Sequence, residues 1–355
     1  SWNYPLPICG RRVGAALAAG NACVVKPAED ACLSLLKLAE IAAEAGLPAG
    51  ALNIVTGYGH EAGAALSAHP GIDHISFTGS PQTGKMVAHA AAENHVPVTL
   101  ELGGKSPQIV FDDADLDAAL PVLLGAIIQN AGQTCSAGSR VLIQRGVYET
   151  VLKRLSEAFA ATVTGPAAAD LDVGPLINAR QQDRVRGFVS EAEADGMKVA
   201  ARGKLKEGTP EAGFYQPPVL FRDVPSDSRL AQEEVFGPVL AAMPFDDEAD
   251  AVRIANSSPF GLGGSVFSAD IHRAQRLQRL AHRGDAVLGG VDHQHLGAGR
   301  GAVGQRLGAG QPSVDDQQIL AGRRRGAVGG LRVRMIGLRV ALLAVGGNRG
   351  GGVVK

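Results

Sequence analysis

The sequence is poor in aromatic residues and in cysteine. Aromatics make up 4% of 355 residues, and from 281 to the end there is no Phe, Tyr, Trp or Glu. Aromatic side chains bury the most surface per residue, so a segment without them offsets little of its chain entropy, and weak or no folding is expected over 281–355. The four cysteines, Cys9, Cys23, Cys32 and Cys135, have no C-x-x-C spacing and no paired histidines nearby, so neither a zinc site nor a redox pair is indicated and no metal is expected. Cys9, Cys23 and Cys32 are expected to be small buried hydrophobes. The longest apolar stretch of the C-terminal part, 335–347, is interrupted by Arg339 and falls short of the ~20 residues that span a bilayer, so no membrane partner is expected. The first residues lack the basic and apolar regions of a signal peptide and the chain does not begin with Met; a cytoplasmic protein with a missing N-terminus is the expectation.

Net charge is also lacking, but only on average. With 34 basic and 35 acidic side chains the total is −1. Residues 281–355 hold ten arginines and one lysine against four aspartates, which is +7 and leaves −8 for 1–280. Roughly a quarter of that tail is glycine, against a usual ~7%. The length suggests two domains and rules out a small disulfide-stapled scaffold.

What is present is a regular alternation. Short apolar strands are predicted at 22–25, 52–56, 74–78 and 96–100, with helices at 31–45, 61–68 and 83–92 between them. Strands alternating with helices of this length imply right-handed parallel βαβ units, hence a doubly wound sheet. A second α/β block runs from about 104 to 270, with strands at 107–111, 140–144, 219–224, 239–245 and 260–265 and helices at 116–130, 148–164 and 249–256. The fold class is therefore α/β.

Two strand-to-helix turns carry glycine. Gly57-Tyr58-Gly59-His60-Glu61-Ala62 fits the dinucleotide pattern G-x-G-x-x-[GA], a weak signal by itself. The turn that starts at Gly79 and reaches Gly84-Lys85-Met86 nearly matches the triphosphate loop G-x-x-x-x-G-K-[ST]. It fails at Met86, whose thioether cannot replace the hard oxygen ligand that Mg²⁺ requires. A dinucleotide suits both turns better than ATP.

Cys135 occupies a polar, glycine-flanked junction, Gln129-Asn130-Ala131-Gly132-Gln133-Thr134-Cys135-Ser136-Ala137-Gly138, unlike the apolar setting of a structural cysteine. Glu101 follows the strand predicted at 96–100, which puts a carboxylate at the C-terminal end of a parallel strand, where ligand crevices form.

Together these segments resemble the aldehyde dehydrogenase superfamily. Trp2-Asn3-Tyr4-Pro5, Lys26-Pro27-Ala28-Glu29, Phe77-Thr78-Gly79-Ser80, Glu101-Leu102-Gly103-Gly104-Lys105, Gly132-Gln133-Thr134-Cys135 and Glu233-Glu234-Val235-Phe236-Gly237-Pro238 occur in the family's order and spacing, over residues 1 to about 280. The resemblance implies a Rossmann-type cofactor domain, 1–104, and an α/β catalytic domain, 105–280, followed by a non-family tail, 281–355. It implies oxidation of an aldehyde to a carboxylic acid. Cys135 attacks as thiolate, the Asn3 amide and the Cys135 backbone N–H hold the oxyanion, hydride passes to nicotinamide, and Glu101 activates water against the thioester left on Cys135. It also implies cofactor contacts from Trp2, Lys26, Glu29, Gly59, Gly63, Phe77, Gly79, Ser80, Gly84, Leu102, Glu234 and Phe236. A carboxylate at Glu29 accepts from a ribose 2′-OH and repels a 2′-phosphate, which favours NAD while Lys26 leaves NADP open.

The match departs from the family at both ends. Segments that the family carries before Trp2 and after about 280, including oligomer-forming parts, are absent, and the abrupt change of composition suggests a tail translated from a shifted reading frame. A chain without them is expected to have little dehydrogenase activity, although the family is homo-oligomeric. Two alternatives stand beside the main reading. A CoA-acylating aldehyde dehydrogenase shares the fold, but Glu101 argues for water as acyl acceptor. A non-enzymatic product with a basic tail around Arg323, Arg324 and Arg325 could bind phosphate backbones, yet the tail has no aromatics for stacking, so no specific nucleic-acid partner is expected.

Overall fold

The computed structural model describes residues 1–280 and two further strands, Val287–Gly289 and Val340–Val345. Apart from those strands, the expectations for the tail, including its weak folding and the cluster at Arg323, Arg324 and Arg325, lie outside the described residues. The chain divides into two compact units, one built on Ser1–Leu102 and one beginning at Gly103.

The first unit starts with helix α1 (Pro5–Ala18), then β1 (Ala22–Lys26), α2 (Leu33–Glu44), β2 (Leu52–Ile54), the short α3 (Ala64–Ser67), β3 (His74–Thr78), α4 (Pro81–Ala92) and β4 (Val98–Glu101). Helix α1 has no counterpart in the sequence prediction. Pro5, Pro7, Gly10 and Gly14 mask it, yet proline is tolerated in a first helical turn, and Cys9 and Val13 recur four residues apart on the buried face. Glu101 is the last residue of β4 rather than the one after it.

Strand order in this unit is β2-β1-β14-β3-β4, every pair parallel, where β14 is Val340–Val345. By chain position the order is 2-1-5-3-4: β14, the last strand, takes the central place that the first strand holds in the doubly wound 3-2-1-4-5 order. Cys9, Val13, Cys23, Val25 and Leu35 form one apolar cluster of the unit. Ile75, Phe77, Val87, Ala91 and Val96 form another. Cys9 and Cys23 are buried as expected, and burial pushes the Cys23 thiol up to about 11. Cys32 differs: it is half-buried at the start of α2, where a helix end meets solvent.

The second unit contains β5 (Pro107–Val110), α5 (Leu116–Ile128), β6 (Arg140–Gln144), α6 (Tyr148–Ala161), β7 (Val163–Thr164), α7 (Ala179–Ala194), β8 (Lys198–Arg202), β9 (Lys204–Leu205), β10 (Val219–Arg222), α8 (Arg229–Gln232), β11 (Val239–Phe245), α9 (Glu248–Ala255), β12 (Gly263–Phe267), α10 (Ile271–Leu280) and β13 (Val287–Gly289). Its main sheet runs β13-β12-β5-β6-β11-β10-β8, parallel except where β8 meets β10. Period-two alternation sorts the strands onto two cores. Ile109, Leu142, Phe221, Ala241 and Met243 face one side, and Val110, Val141, Ile143, Leu220 and Ala242 the other.

Among the described residues no helix is long and apolar enough to cross a membrane. No group of three or more His, Cys, Asp or Glu among them could hold a metal ion.

Candidate active site

The loop that carries Cys135 is built by a sharp reversal of the chain. Helix α5 stops at Ile128, earlier than the 130 expected, because Asn130, Ala131 and Gly132 all take left-handed backbone, with φ of 52°, 53° and 71°. Such conformations cost a non-glycine residue about 1–3 kcal/mol and persist only where the surroundings enforce them. Gln133 does the enforcing. It is buried, its amide nitrogen donates to the Asn130 carbonyl at 2.9 Å, and its Oε1 accepts from the Ile177 N–H at 2.9 Å. Asn130 returns a bond to the Gln133 carbonyl at 3.2 Å. Cys135 is in no disulfide and is half-buried, so its thiol combines access with a rigid support.

Two glycines let other segments approach this loop. A Cβ at Gly104 would lie 2.2 Å from the carbonyl oxygen of Cys135, and one at Gly132 would lie 2.2 Å from the carbonyl of Gly237. Gly104 and Gly237 therefore pack against the thiol loop with no room for a Cβ at Gly104 or at Gly132. Phe236 is itself left-handed, φ 60°. Helix α7 holds that run: Gln181 Nε2 donates to the Phe236 carbonyl at 2.7 Å, and Arg184 donates to the carbonyls of Val235 and Glu234.

Glu234 is half-buried, and Oε1 accepts the Gly104 N–H at 3.0 Å. Burial raises its carboxyl above the ordinary carboxylate range, against the opposing pull of that N–H, Arg184 and Lys105. Lys105 next to it is fully buried with no hydrogen-bond partner for Nζ among the described residues. Burial first, and then the Arg140 guanidinium, bring its ammonium down to about 7. Arg140 is buried too. It donates to the carbonyls of Lys105, Ile254 and Ala255 at 2.9, 2.9 and 2.7 Å, so it satisfies the C-terminus of α9 instead of a carboxylate.

In the first unit, Lys26 ends β1 fully buried, donates to the Pro27 carbonyl at 2.6 Å and sits 3.8 Å from Glu29 Oε2. Glu29 Oε1 accepts the Gly59 N–H at 2.8 Å, which joins the two segments expected to meet the adenosine end of a cofactor. The carboxylate keeps acceptor capacity for a hydroxyl, and at Gly63 a Cβ would meet the Lys26 side chain at 3.5 Å, so this donor and acceptor set fits a ribose. Helix α4 begins at Pro81 rather than 83, with Ser80 as its cap, accepting from Thr83 N at 3.2 Å. Lys85 and Met86 lie on the exposed side of that helix, so no triphosphate loop is formed. A Cβ at Gly79 would lie 2.6 Å from the Phe77 ring and one at Gly84 2.5 Å from Leu102. Phe77 is buried in the core, forming a floor under the Gly79 turn.

Trp2 and Asn3 precede α1 and are half-buried; Asn3 Oδ1 accepts from Ser1 Oγ at 2.6 Å. Glu101, at the end of β4, is held by two arginines of α1: Arg11 at 3.0 Å and Arg12 at 2.9 Å, both on Oε1. Neither arginine stood out in the sequence, nor did Gln181 or Arg184, and Gln133 was visible only as a member of the Cys135 motif, without a role. Their partners are 89 and 90 residues away for the arginines, and backbone N–H and carbonyl groups for the others, which no motif of side chains reveals.

The sequence profile described as "Aldehyde dehydrogenase family" matches residues 1–297. The chain is 45% identical over 316 residues to "Betaine aldehyde dehydrogenase 2" of Rhizobium meliloti (strain 1021), covering 88% of this chain and 64% of that protein. It is 44% identical over 282 residues to the "Hydroxyisobutyraldehyde dehydrogenase" of Mycolicibacterium austroafricanum, covering 78% and 56%. The chain thus spans less than two thirds of these curated relatives. Among solved structures, a Burkholderia cenocepacia protein superimposes with a TM-score of 0.79 at 69% identity, covering 81% of this chain and 60% of the other. A Staphylococcus aureus betaine aldehyde dehydrogenase crystallised with NAD⁺ gives 0.78 at 36% identity, covering 81% and 58%. These names do not favour the CoA-acylating alternative.

Proposed function

Because the chain belongs to the aldehyde dehydrogenase family, we propose that it carries the apparatus for oxidising an aldehyde to a carboxylic acid with NAD, and that Cys135 is its nucleophile. The observation that carries this reading is the Cys135 loop: a half-buried cysteine outside any disulfide, on a backbone reversal enforced by buried Gln133 and by glycine contacts at Gly104 and Gly132. A thiol with only a packing role needs no such support.

In this reading Cys135, as thiolate, attacks the aldehyde carbon, and its own backbone N–H with the Asn3 amide donates to the oxygen that gains charge. NAD, when bound, supplies the hydride acceptor for the oxidation. Lys26 and Glu29 hold its ribose hydroxyls at one end and Glu234 at the other, with Trp2, Gly59, Gly63, Gly79, Ser80, Gly84, Leu102 and Phe236 around it. NADP stays open through Lys26. The acyl group is left on Cys135 as a thioester, and Glu101 takes a proton from the water that releases it. A cytoplasmic location is what the family resemblance implies, and the family is homo-oligomeric.

NADH formation followed at 340 nm with a panel of aldehydes, betaine aldehyde among them, tests the reading. Turnover that Cys135→Ala abolishes supports it. Turnover that survives this substitution refutes it.

A further inference from the structure

Lys105 has no part in the chemistry proposed above, yet it occupies a place that an ammonium rarely tolerates. It is 2% exposed, and its Nζ meets no hydrogen-bond partner among the described residues. An ammonium stripped of hydration and left without a partner is so unfavourable that the group gives up its proton instead. Four charged groups act on it: Arg140 from β6, Arg184 from α7, and Glu233 and Glu234 from the segment after α8. The arginines oppose the ammonium and the carboxylates favour it. Glu233 is paired with Arg229 at 3.1 Å, and Arg184 donates to the carbonyls of Glu234 and Val235, which leaves Glu234 as the principal counter-charge. Burial first, and then Arg140, set the balance near neutral pH, at about 7.

Glu234 rests against the backbone that leads into Lys105. Its Oε1 accepts the Gly104 N–H at 3.0 Å, and a Cβ at Gly103 would collide with the carboxylate. A charge that arrives at Glu234 therefore acts on Lys105 through protein rather than solvent, where salt screens little. We propose that Lys105 senses the oxidation state of the cofactor: it loses its proton when the positively charged ring of oxidised NAD is bound and keeps it beside the uncharged ring of NADH. This rests on the reading of Glu234 as a ligand of the ribose at the nicotinamide end. Lys105 is a specificity-determining residue that acts through Glu234 and the surrounding field. The proton that leaves its amine goes to solvent as oxidised NAD binds, and one returns from solvent once the ring charge is gone. Rising pH through the titration of Lys105 therefore favours NAD over NADH.

Binding without turnover tests this, on the full chain carrying Cys135→Ala so that the thiol contributes no proton. Isothermal titration calorimetry at pH 7, in two buffers of different ionisation enthalpy, counts the protons exchanged. About half a proton more should leave with NAD than with NADH, the share of Lys105 that is charged at that pH. From pH 6 to pH 8 the Kd of NAD relative to that of NADH should fall about three- to thirtyfold, as one buried charge acting on another allows. Lys105→Met, similar in length and without a titrating group, should abolish most of the proton difference, flatten the ratio and tighten NAD binding at pH 6. Lys105→Gln should do the same, and circular dichroism checks the fold of both. A merely structural role would weaken both cofactors alike at every pH and overturn the proposal. Equal proton counts for NAD and NADH with Lys105 in place also overturn it, and that measurement needs no variant at Lys105. An undiminished difference in both variants assigns the proton to Glu234 and overturns it too. Binding of neither cofactor defeats the reading of Glu234 and the sensor with it, whereas binding of both with equal counts defeats the sensor alone.

Discussion

The backbone N–H of Gly104 donates to Oε1 of Glu234 at 3.0 Å, and the same glycine lies so close to the Cys135 carbonyl that a Cβ would come within 2.2 Å of it. One residue thus fixes both a carboxylate assigned to the cofactor and the backbone of the thiol loop. Gly104→Ala is expected to push the Cys135 backbone out of place at a cost of about 1–3 kcal/mol, as overpacking of a tight contact does. Urea unfolding measures that loss, and alkylation of Cys135 by iodoacetamide should change at least severalfold relative to Cys32, an internal control.

Glu234 is expected to govern cofactor affinity rather than folding. Glu234→Ala removes a charged acceptor for a ribose hydroxyl, and a hydrogen bond to a charged group is worth about 1.5–3 kcal/mol, so NAD affinity should fall roughly ten- to a hundredfold. Titration of protein fluorescence with NAD reads this directly. Affinity unchanged by the substitution would remove Glu234 from the site.

Gln133 holds the reversal that presents Cys135. Gln133→Ala takes from the Ile177 N–H the acceptor that it has at 2.9 Å, and removes one bond from the Asn130 carbonyl, which keeps the Gln133 backbone N–H at 3.1 Å. A polar group that loses its partner away from water costs about 1–3 kcal/mol, so a drop in the unfolding midpoint is expected, larger than for Gln181→Ala at the partly buried edge of α7.

Lys105 gives a pH dependence of definite sign. Its ammonium titrates near 7 in the folded protein against 10.5 as its ordinary value, so between these the unfolded chain binds the proton that the folded one does not. Stability contributed by this group therefore rises with pH through that window, by up to about 1.4 kcal/mol per unit, and burial of the charged form is most costly below about 7. Lys105→Met should stabilise the protein more at pH 6 than at pH 9, as thermal unfolding at the two values would show. An equal shift at both would mean that the buried lysine is not titrating.

Much of the fold was legible in the sequence because period-two strands and ten-residue helices leave local signals. Strands β3 and β6 fall where the alternation put them, at 74–78 and 140–144. Helix α1 was not legible, since its prolines and glycines are poor helix formers and its stability comes from packing Cys9 and Val13 on the sheet. At the site, Cys135 and Glu101 stood out through glycine-flanked motifs that local order preserves. Gln133, Gln181, Arg184, Arg11 and Arg12 act through partners distant in sequence or through backbone atoms, and such contacts exist only once the chain is folded.

The measurement closest to the central claim is detection of the acyl group on Cys135 itself. Glu101→Gln removes the assigned base and should leave the acyl group stranded. After incubation of that variant with propanal and NAD, peptide mass spectrometry should find one propionyl group on the peptide containing Cys135, absent when NAD is withheld. A Cys135 peptide that stays unmodified, or a propionyl group carried by Cys9, Cys23 or Cys32 instead, would contradict the account.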